Sequence, residues 1–179
     1  MIQFDNFGNL QNFLKSSLKS HLALNINLYG NQISNEVTSG LGPALAKCTN
    51  LAYLTLEFFG NQLCDECLSS LGSVLGKCTN LSNLTLFLGK CQIGATGVQC
   101  LGDALAKCIN LSSLNLDLYG NQIGSIGASN LGFTLAKCTN LTSLTLYLGL
   151  NKIQESEVLK VKSKYLKSKR LVHFYINFY

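Results

Sequence analysis

The chain has 179 residues, of which 47% are hydrophobic and 13% are charged, and it carries a formal net charge of +5. This length is typical of a single domain and is sufficient to bury a core. No apolar stretch approaches the roughly 20 residues of a membrane-spanning helix, and the N-terminus lacks the basic and apolar regions of a signal peptide. The sequence therefore predicts a soluble, cytoplasmic protein with no membrane span.

The basic residues are concentrated near the C-terminus. Residues 1–159 carry eight basic and nine acidic residues, and the other six of the fourteen basic residues follow them. These six are Lys160, Lys162, Lys164, Lys167, Lys169 and Arg170. Because the body of the chain is nearly neutral, its basic isoelectric point does not predict a nucleic-acid partner.

The N-terminal segment differs from the rest of the chain. Residues 9–20 read NLQNFLKSSLKS, and their leucines fall at positions 10, 14 and 18. This spacing places the three leucines on one side of an amphipathic helix. We therefore expect segment 1–20 to form a capping helix that covers the open end of the core.

A unit of 30 residues repeats through the rest of the chain without insertion or deletion. Most units end in a KCTN or KCIN phrase followed by leucine. The units are 21–50, 51–80, 81–110, 111–140 and 141–170, followed by a partial copy that forms a terminal strand at 171–179. Self-similarity at a fixed period is the signature of a solenoid, in which stacked units share one core.

Each unit has a strand half and a helix half. In unit 111–140 the first half reads LSSLNLDL, and apolar and polar residues alternate from its second leucine, which predicts a half-buried strand. A GNQI turn follows. The second half reads GASNLGFTLAKC, in which apolar residues recur at spacings of three and four, as on one side of a helix.

This pattern resembles the leucine-rich repeat, specifically the long, ribonuclease-inhibitor-like kind. The Asn or Cys of its signature, L-x-x-L-x-L-x-x-N/C-x-L, falls at Asn31, Asn61, Cys91, Asn121 and Asn151, although an additional x-L step lengthens each strand half. These side chains are expected to bond backbone groups of the adjacent turn and form a ladder. The resemblance covers nearly the whole chain. It implies an α/β horseshoe solenoid with a parallel β-sheet on the concave face and helices on the convex face.

The residues between the strand leucines point away from the core and form columns rich in Tyr, Phe, Asn, Asp and Thr. Aromatic side chains on a rigid surface suit protein recognition, although rings that only fill space between strands are the alternative. We predict a protein-binding site formed by Tyr29, Glu57, Phe59, Phe87, Asp117, Tyr119 and Tyr147. Its two carboxylates favour a positively charged partner segment.

The eight cysteines fall into two groups. Four recur at one repeat position, Cys48, Cys78, Cys108 and Cys138, and are predicted to be small buried residues. The others are Cys64, Cys67, Cys91 and Cys100, which would suit zinc if all four thiolates met. Cys91 occupies the ladder position, however, and no second C-x-x-C follows the one at Cys64 and Cys67. Ordinary packing is therefore favoured, and no metal or cofactor is predicted.

Catalysis finds little support in the sequence. Neither His21 nor His173 has a nucleophile or carboxylate at a motif spacing, and no phosphate-binding glycine-rich loop is present. The sequence predicts a non-catalytic, monomeric protein–protein interaction scaffold whose edge strand 171–179 could pair. Two alternatives remain. The chain could be a regulatory or targeting segment of a larger signalling protein, since similar arrays occur beside kinase domains, or an anion-binding adaptor that uses residues 160–170.

Overall fold

The computed structural model describes residues 2–30, 40–166 and 170–179, which form a solenoid of strand, turn and helix units. The strands are β1 (Asp5–Phe7), β2 (Ala23–Asn27), β3 (Tyr53–Glu57), β4 (Asn83–Phe87), β5 (Ser113–Asp117), β6 (Ser143–Tyr147) and β7 (His173–Asn177). The α-helices are α1 (Leu10–Leu14), α2 (Gly42–Lys47), α3 (Asp65–Leu75), α4 (Ala95–Leu105), α5 (Gly124–Leu135) and α6 (Glu155–Tyr165). Within these ranges, the seven strands form one parallel sheet whose order follows the chain.

Neighbouring strands pair with an offset of one repeat. Leu24 of β2 pairs with Leu54 of β3, which pairs with Leu84 of β4, and all three are buried. Because side chains alternate along a strand, these leucines form one column beneath the sheet. Helices α3 to α6 pack side by side. None of the helices in the described part of the chain has the length and apolar character needed to cross a membrane.

A buried asparagine in the turn that follows a strand hydrogen-bonds to the backbone of its own repeat and of the repeat before it. The Nδ2 of Asn121 donates to the carbonyls of Leu88 and Leu118, both at 2.8 Å. Its Oδ1 accepts the backbone N–H groups of Cys91 and Ile93, both at 3.0 Å. One side chain therefore satisfies four backbone groups from two adjacent repeats, in a place that water does not reach.

The same contact recurs along the solenoid. Asn61 Nδ2 donates to the carbonyls of Leu28 and Phe58, and Asn151 makes equivalent bonds in the last turn. The Cys91 thiol lies 3.1 Å from the Phe58 carbonyl oxygen and replaces the amide. The predicted ladder is confirmed at these positions, whereas Asn31 lies outside the described residues.

A second ladder, which the sequence analysis did not predict, joins the ends of the repeats. The Nδ2 of Asn110 donates to the carbonyl of Thr79, one repeat earlier, at 2.6 Å. Equivalent bonds are made by Asn50, Asn80 and Asn140. These asparagines are exposed, so each contact contributes less to stability than the buried ladder does.

The N-terminal 20 residues differ from the predicted continuous capping helix. Strand β1 pairs with β2, α1 spans only five residues, and a short 3-10 helix follows at Leu18–Ser20. Helix α1 begins where the Asn9 side chain accepts a backbone N–H at 2.9 Å, and it ends where the Ser16 hydroxyl donates to the Phe13 carbonyl. The apolar side was correctly predicted, because the core is contacted by Leu10, Leu14 and Leu18.

His21 stands where the other repeats have leucine, and its side chain contacts both β1 and the segment that follows α1. Its Nδ1 lies 2.7 Å from Asp5 Oδ2, and its Nε2 lies 2.8 Å from Ser16 Oγ. Its ring packs against Phe7 and Phe13. No motif spacing in the sequence linked His21 to a carboxylate or a nucleophile, and it is the pairing of β1 with β2 that brings Asp5 beside it. The Ser16 hydroxyl also donates to the Phe13 carbonyl at 2.7 Å, so these contacts join β1, α1 and the start of the first repeat.

The C-terminal end of the core is only partly covered. Helix α6 ends at Tyr165, and residues 167–169 lie outside the described part. Strand β7 pairs with β6 as expected. Its core-facing side chains, Phe174, Ile176 and Phe178, are half-buried, in contrast to the buried leucines of β6. The solenoid therefore ends in a partly exposed apolar edge.

The buried ladder generates a test of stability. We expect Asn121→Ala to lower the free energy of unfolding by about 3 kcal/mol or more, because each buried backbone group left unpaired costs about 1–3 kcal/mol. Asn121→Cys should cost less, because Cys91 already serves at the equivalent position. Urea denaturation followed by circular dichroism measures both.

Asn110→Ala is the matched control, because it removes the same side chain from the exposed ladder. Its expected cost is about 1 kcal/mol or less. Equal losses for Asn110→Ala and Asn121→Ala would contradict the dominant role of the buried ladder.

Candidate functional site

The candidate site is the strand face, which comprises the side chains that β2 to β7 turn away from the core. In the first full repeat these are Asn25, Asn27 and Tyr29, and each later repeat adds an equivalent set. With about 4.8 Å between strands, six strands make a surface about 24 Å across. Because adjacent strands are paired in register, side chains of the same column stand next to one another.

All seven predicted binding residues lie on this face or on the turn that directly continues it. Tyr29 has 61% of its surface exposed and Tyr147 has 37%. The half-buried members are Glu57, Phe59, Phe87, Asp117 and Tyr119. The two ends of the face therefore present the most accessible aromatic rings, and its middle presents partly covered ones.

A stack of side chains organises the N-terminal part of the face. The rings of Tyr29 and Phe59 are nearly parallel, with centroids 5.6 Å apart. A Cβ atom on Gly89 would lie 2.6 Å from Phe59 Cδ2, so the ring occupies space that only glycine leaves free. The Lys90 Nζ lies 5.7 Å from the Phe59 centroid on the turn of the next repeat.

The C-terminal part repeats this arrangement and adds residues that were not among the predicted seven. The ring of Tyr119 lies near Gly149, although the backbone carbonyl of Tyr179 approaches this glycine more closely than the ring does. Tyr147 contacts Tyr175, with ring centroids 5.7 Å apart. Tyr175 is 50% exposed and Tyr179 is 80% exposed. Their column positions could have identified both tyrosines from the sequence, and they extend the aromatic surface to the last strand.

The polar residues of the face are held by their own turns. Asp117 Oδ1 accepts the N–H of Tyr119 at 2.9 Å, and the asparagines at 27 and 177 make the same contact two residues on. Glu57 accepts a hydrogen bond from Asn27 Nδ2 at 2.8 Å. In the described part of the chain, neither Glu57 nor Asp117 forms an ion pair. Their charges are therefore positioned but not neutralised by a cation.

Two acceptor atoms on this face lack a donor. The Oδ1 atoms of Asn25 and Asn115 are buried and accept no hydrogen bond from any described residue. Asn115 stands in the middle of the sheet, between Thr85 and Thr145 of the neighbouring strands. A buried acceptor without a partner is costly, and these two oxygens are enclosed within the face, so they add no accessible acceptor to its surface.

The repeated cysteines belong to the core. Cys48, Cys78, Cys108 and Cys138 are buried, which confirms the prediction of small packed residues. The Cys108 thiol lies 3.3 Å from the Leu75 carbonyl oxygen. Burial raises the pKa of Cys48 and Cys138 to about 11 and, with the adjacent cysteines, that of Cys108 to about 12. These thiols are therefore protonated and unreactive at neutral pH.

The other four cysteines do not come together. Cys91 points into the buried ladder, and Cys100 lines a separate groove between α3 and α4. Only the sulfur atoms of Cys64 and Cys67 are close, at 3.1 Å. No three His, Cys, Asp or Glu side chains among the described residues are grouped so that they could hold a metal ion. The four-thiol zinc site that the sequence analysis considered is therefore not formed.

Two of the basic residues in segment 160–170 already contact other groups of the chain. The Lys160 Nζ lies 3.3 Å from Glu157 Oε2, and the Arg170 guanidinium donates to the carbonyl of Thr139. Lys162 is exposed, and Lys164 is half-buried. The lysines at 167 and 169 lie outside the described residues. The described charges thus do not converge on one anion site.

No protein-family model matches this sequence, and no curated protein matches it. Solved structures do. The structure titled leiomodin-1 actin-binding site 2 has a TM-score of 0.63 and 16% sequence identity, and the likeness covers 89% of this chain and 86% of that one. An internalin (inlF) from Listeria monocytogenes has 19% identity over 97% of this chain and 58% of its own, but the TM-score is 0.29.

The similarity to the first of these structures is a similarity of fold. It agrees with the seven parallel strands, the alternating helices and the open sheet described above for residues 2–30, 40–166 and 170–179. The fold class inferred from the repeat is therefore confirmed. The chain has an α/β leucine-rich-repeat solenoid fold, with its parallel sheet on the concave face and its helices on the convex face.

Proposed function

We propose that this chain is a non-catalytic scaffold that binds a protein partner on the strand face. The observation that carries the proposal is the aromatic surface of the sheet, in which the rings of Tyr29 and Phe59 form one contacting pair and those of Tyr147 and Tyr175 form another. Aromatic rings held in this way supply contact area at little cost in side-chain entropy, as binding hot spots do. The further predicted contacts are Glu57, Phe87, Asp117 and Tyr119.

The charges on the strand face favour a particular kind of partner segment. Glu57 and Asp117 lie among the aromatic rings without a cation, which favours a segment that carries lysine or arginine. A basic segment therefore complements this face in charge.

A similar fold is known to serve a protein partner, since the solved structure described above is named as an actin-binding site. Its 16% identity carries over the architecture and not the partner. We propose further that the chain is of the ribonuclease-inhibitor-like kind and acts in the cytoplasm as a monomer. The period of 30 residues and the helices that follow the strands support the first of these points.

Site-specific photo-crosslinking tests which face binds. A benzophenone amino acid replaces Phe87 on the strand face or, as the matched control, Phe133, which is 62% exposed on α5. In the native extract, the strand-face probe is expected to capture a protein that the helix-face probe does not. A protein captured only from Phe133 would contradict the proposal.

Substitution of the most exposed rings tests their contribution to affinity. With the captured partner purified, we expect Tyr29→Ser combined with Tyr147→Ser to weaken binding by about 30- to 1000-fold, because truncating each hot-spot ring costs about 1–2 kcal/mol. Isothermal titration calorimetry measures the change. Phe133→Ser is the control, and an equal loss of affinity in that variant would place binding elsewhere.

The glycine beneath the Phe59 ring generates a second test. Gly89→Ala places a Cβ atom 2.6 Å from Phe59 Cδ2, so the ring must move. We expect the free energy of unfolding to fall by about 1–3 kcal/mol and partner affinity to fall with it. In a Phe59→Ala background the same glycine substitution should cost far less. An unchanged cost in that background would show that the ring is not what the glycine accommodates.

A further inference from the structure

Cys64 and Cys67 stand as a close pair of thiols at the start of α3. Cys64 is the N-cap residue of this helix, Cys67 lies in its first turn, and their sulfur atoms are 3.1 Å apart. A disulfide bond requires about 2.0 Å between the sulfurs, so closure needs a relative movement of about 1 Å. A side-chain rotation within one helical turn can supply a movement of that size.

The repeat geometry makes these two positions converge. In the next repeat the equivalent residues are Gly94 and Gly97, and the Asp65 carboxylate occupies the space in front of both. A Cβ atom would lie 3.0 Å from this carboxylate at Gly94 and 2.5 Å from it at Gly97. Side chains at the two positions of one repeat therefore point at the same place. Cys64 and Cys67 fill that place with their own sulfurs.

The two thiols differ in their access to solvent. Cys64 is half-buried and lines an open groove of about 520 Å³, together with three glutamines and the carboxylates of Asp65 and Glu66. Cys67 is 2% exposed, and burial raises the pKa of its thiol to about 11. A small reagent in the groove therefore meets Cys64 first, and Cys67 can react only with the Cys64 sulfur after Cys64 has formed a mixed disulfide.

We propose that Cys64 and Cys67 form a reversible dithiol site that exchanges with small cationic disulfides. The Cys64 thiolate attacks one sulfur of the reagent, which forms a mixed disulfide and releases half of the reagent as a thiolate. Cys67 then loses its proton and attacks the Cys64 sulfur, which closes the Cys64–Cys67 bond and releases the second half. The two protein thiols lose two electrons, the reagent disulfide gains them, and the two thiol protons pass through water to the released thiolates.

The surroundings favour this reagent class and argue against a metal. Among the described residues, the charged groups that line the groove are the carboxylates of Asp65 and Glu66, which attract a cationic disulfide and repel an anionic one. Asp65 Oδ1 accepts the Gly94 N–H at 2.8 Å, so this carboxylate is committed to the next repeat and does not complete a metal site. A bridge between residues three apart removes little chain entropy, so it stays easily reduced.

The test uses the whole protein and cystamine as the probe. After incubation, the remaining thiols are alkylated, and mass spectrometry locates the modified cysteines. The wild type should form the Cys64–Cys67 disulfide, and cysteamine should reverse it. Cys67→Ser should stop at a mixed disulfide on Cys64, whereas Cys64→Ser should leave Cys67 unmodified. A wild type that also stops at the mixed disulfide would overturn the proposal, because the second thiol would then play no part.

Two comparisons separate this site from nonspecific oxidation. Cys100→Ser, which removes a half-buried cysteine elsewhere, should react as the wild type does. Cystamine should react on the order of tenfold faster than oxidised glutathione, and added salt should reduce the difference. Modification of Cys100 ahead of Cys64, or faster reaction with glutathione disulfide, would contradict the assignment. The site lies on the turn beyond the strand, so neither result depends on partner binding at the strand face.

Discussion

Each repeat buries its strand leucines only with the help of its neighbours, and the rest of the structure depends on this shared core. Leu144 and Leu146 of β6 are almost completely buried, whereas Phe174 and Ile176 at equivalent positions of β7 are half-buried. The difference comes from stacking, because these residues belong to the same kind of strand. A single unit therefore has no stable fold of its own, and stability accumulates as repeats are added.

Hydrogen bonds of the asparagine ladders fix the register between adjacent repeats, which burial of the leucines alone does not. Hydrophobic burial alone tolerates sliding, but the Asn121 side chain bonds backbone groups of two repeats and can do so at one offset only. With the backbone fixed in this way, the columns of the strand face stand at constant spacing. Gly89 then leaves space for the ring of Phe59, so the same sheet carries an ordered aromatic surface.

Equivalent positions of this scaffold carry different chemistry. At the turn into the helix, Gly94 and Gly97 accommodate the carboxylate of Asp65, whereas one repeat earlier two thiols occupy the same places. In the last turn, Ser125 accepts the N–H of Gln154 from the position equivalent to Asp65. The repeat thus offers a fixed geometry in which single substitutions create a helix cap or a reactive pair.

The sequence by itself determined the period, the order of strand and helix, the buried leucines and the Asn–Cys ladder. All of these depend on contacts within a repeat or between identical positions of adjacent repeats, which periodicity records directly. It also determined which columns face away from the core, and hence the seven candidate residues. Only the tertiary structure decided that β1 extends the sheet, that His21 meets Asp5 and Ser16, and that Cys64 and Cys67 meet while Cys91 and Cys100 stay apart. These contacts join unlike residues or depend on side-chain direction, and a repeating pattern contains no information about either.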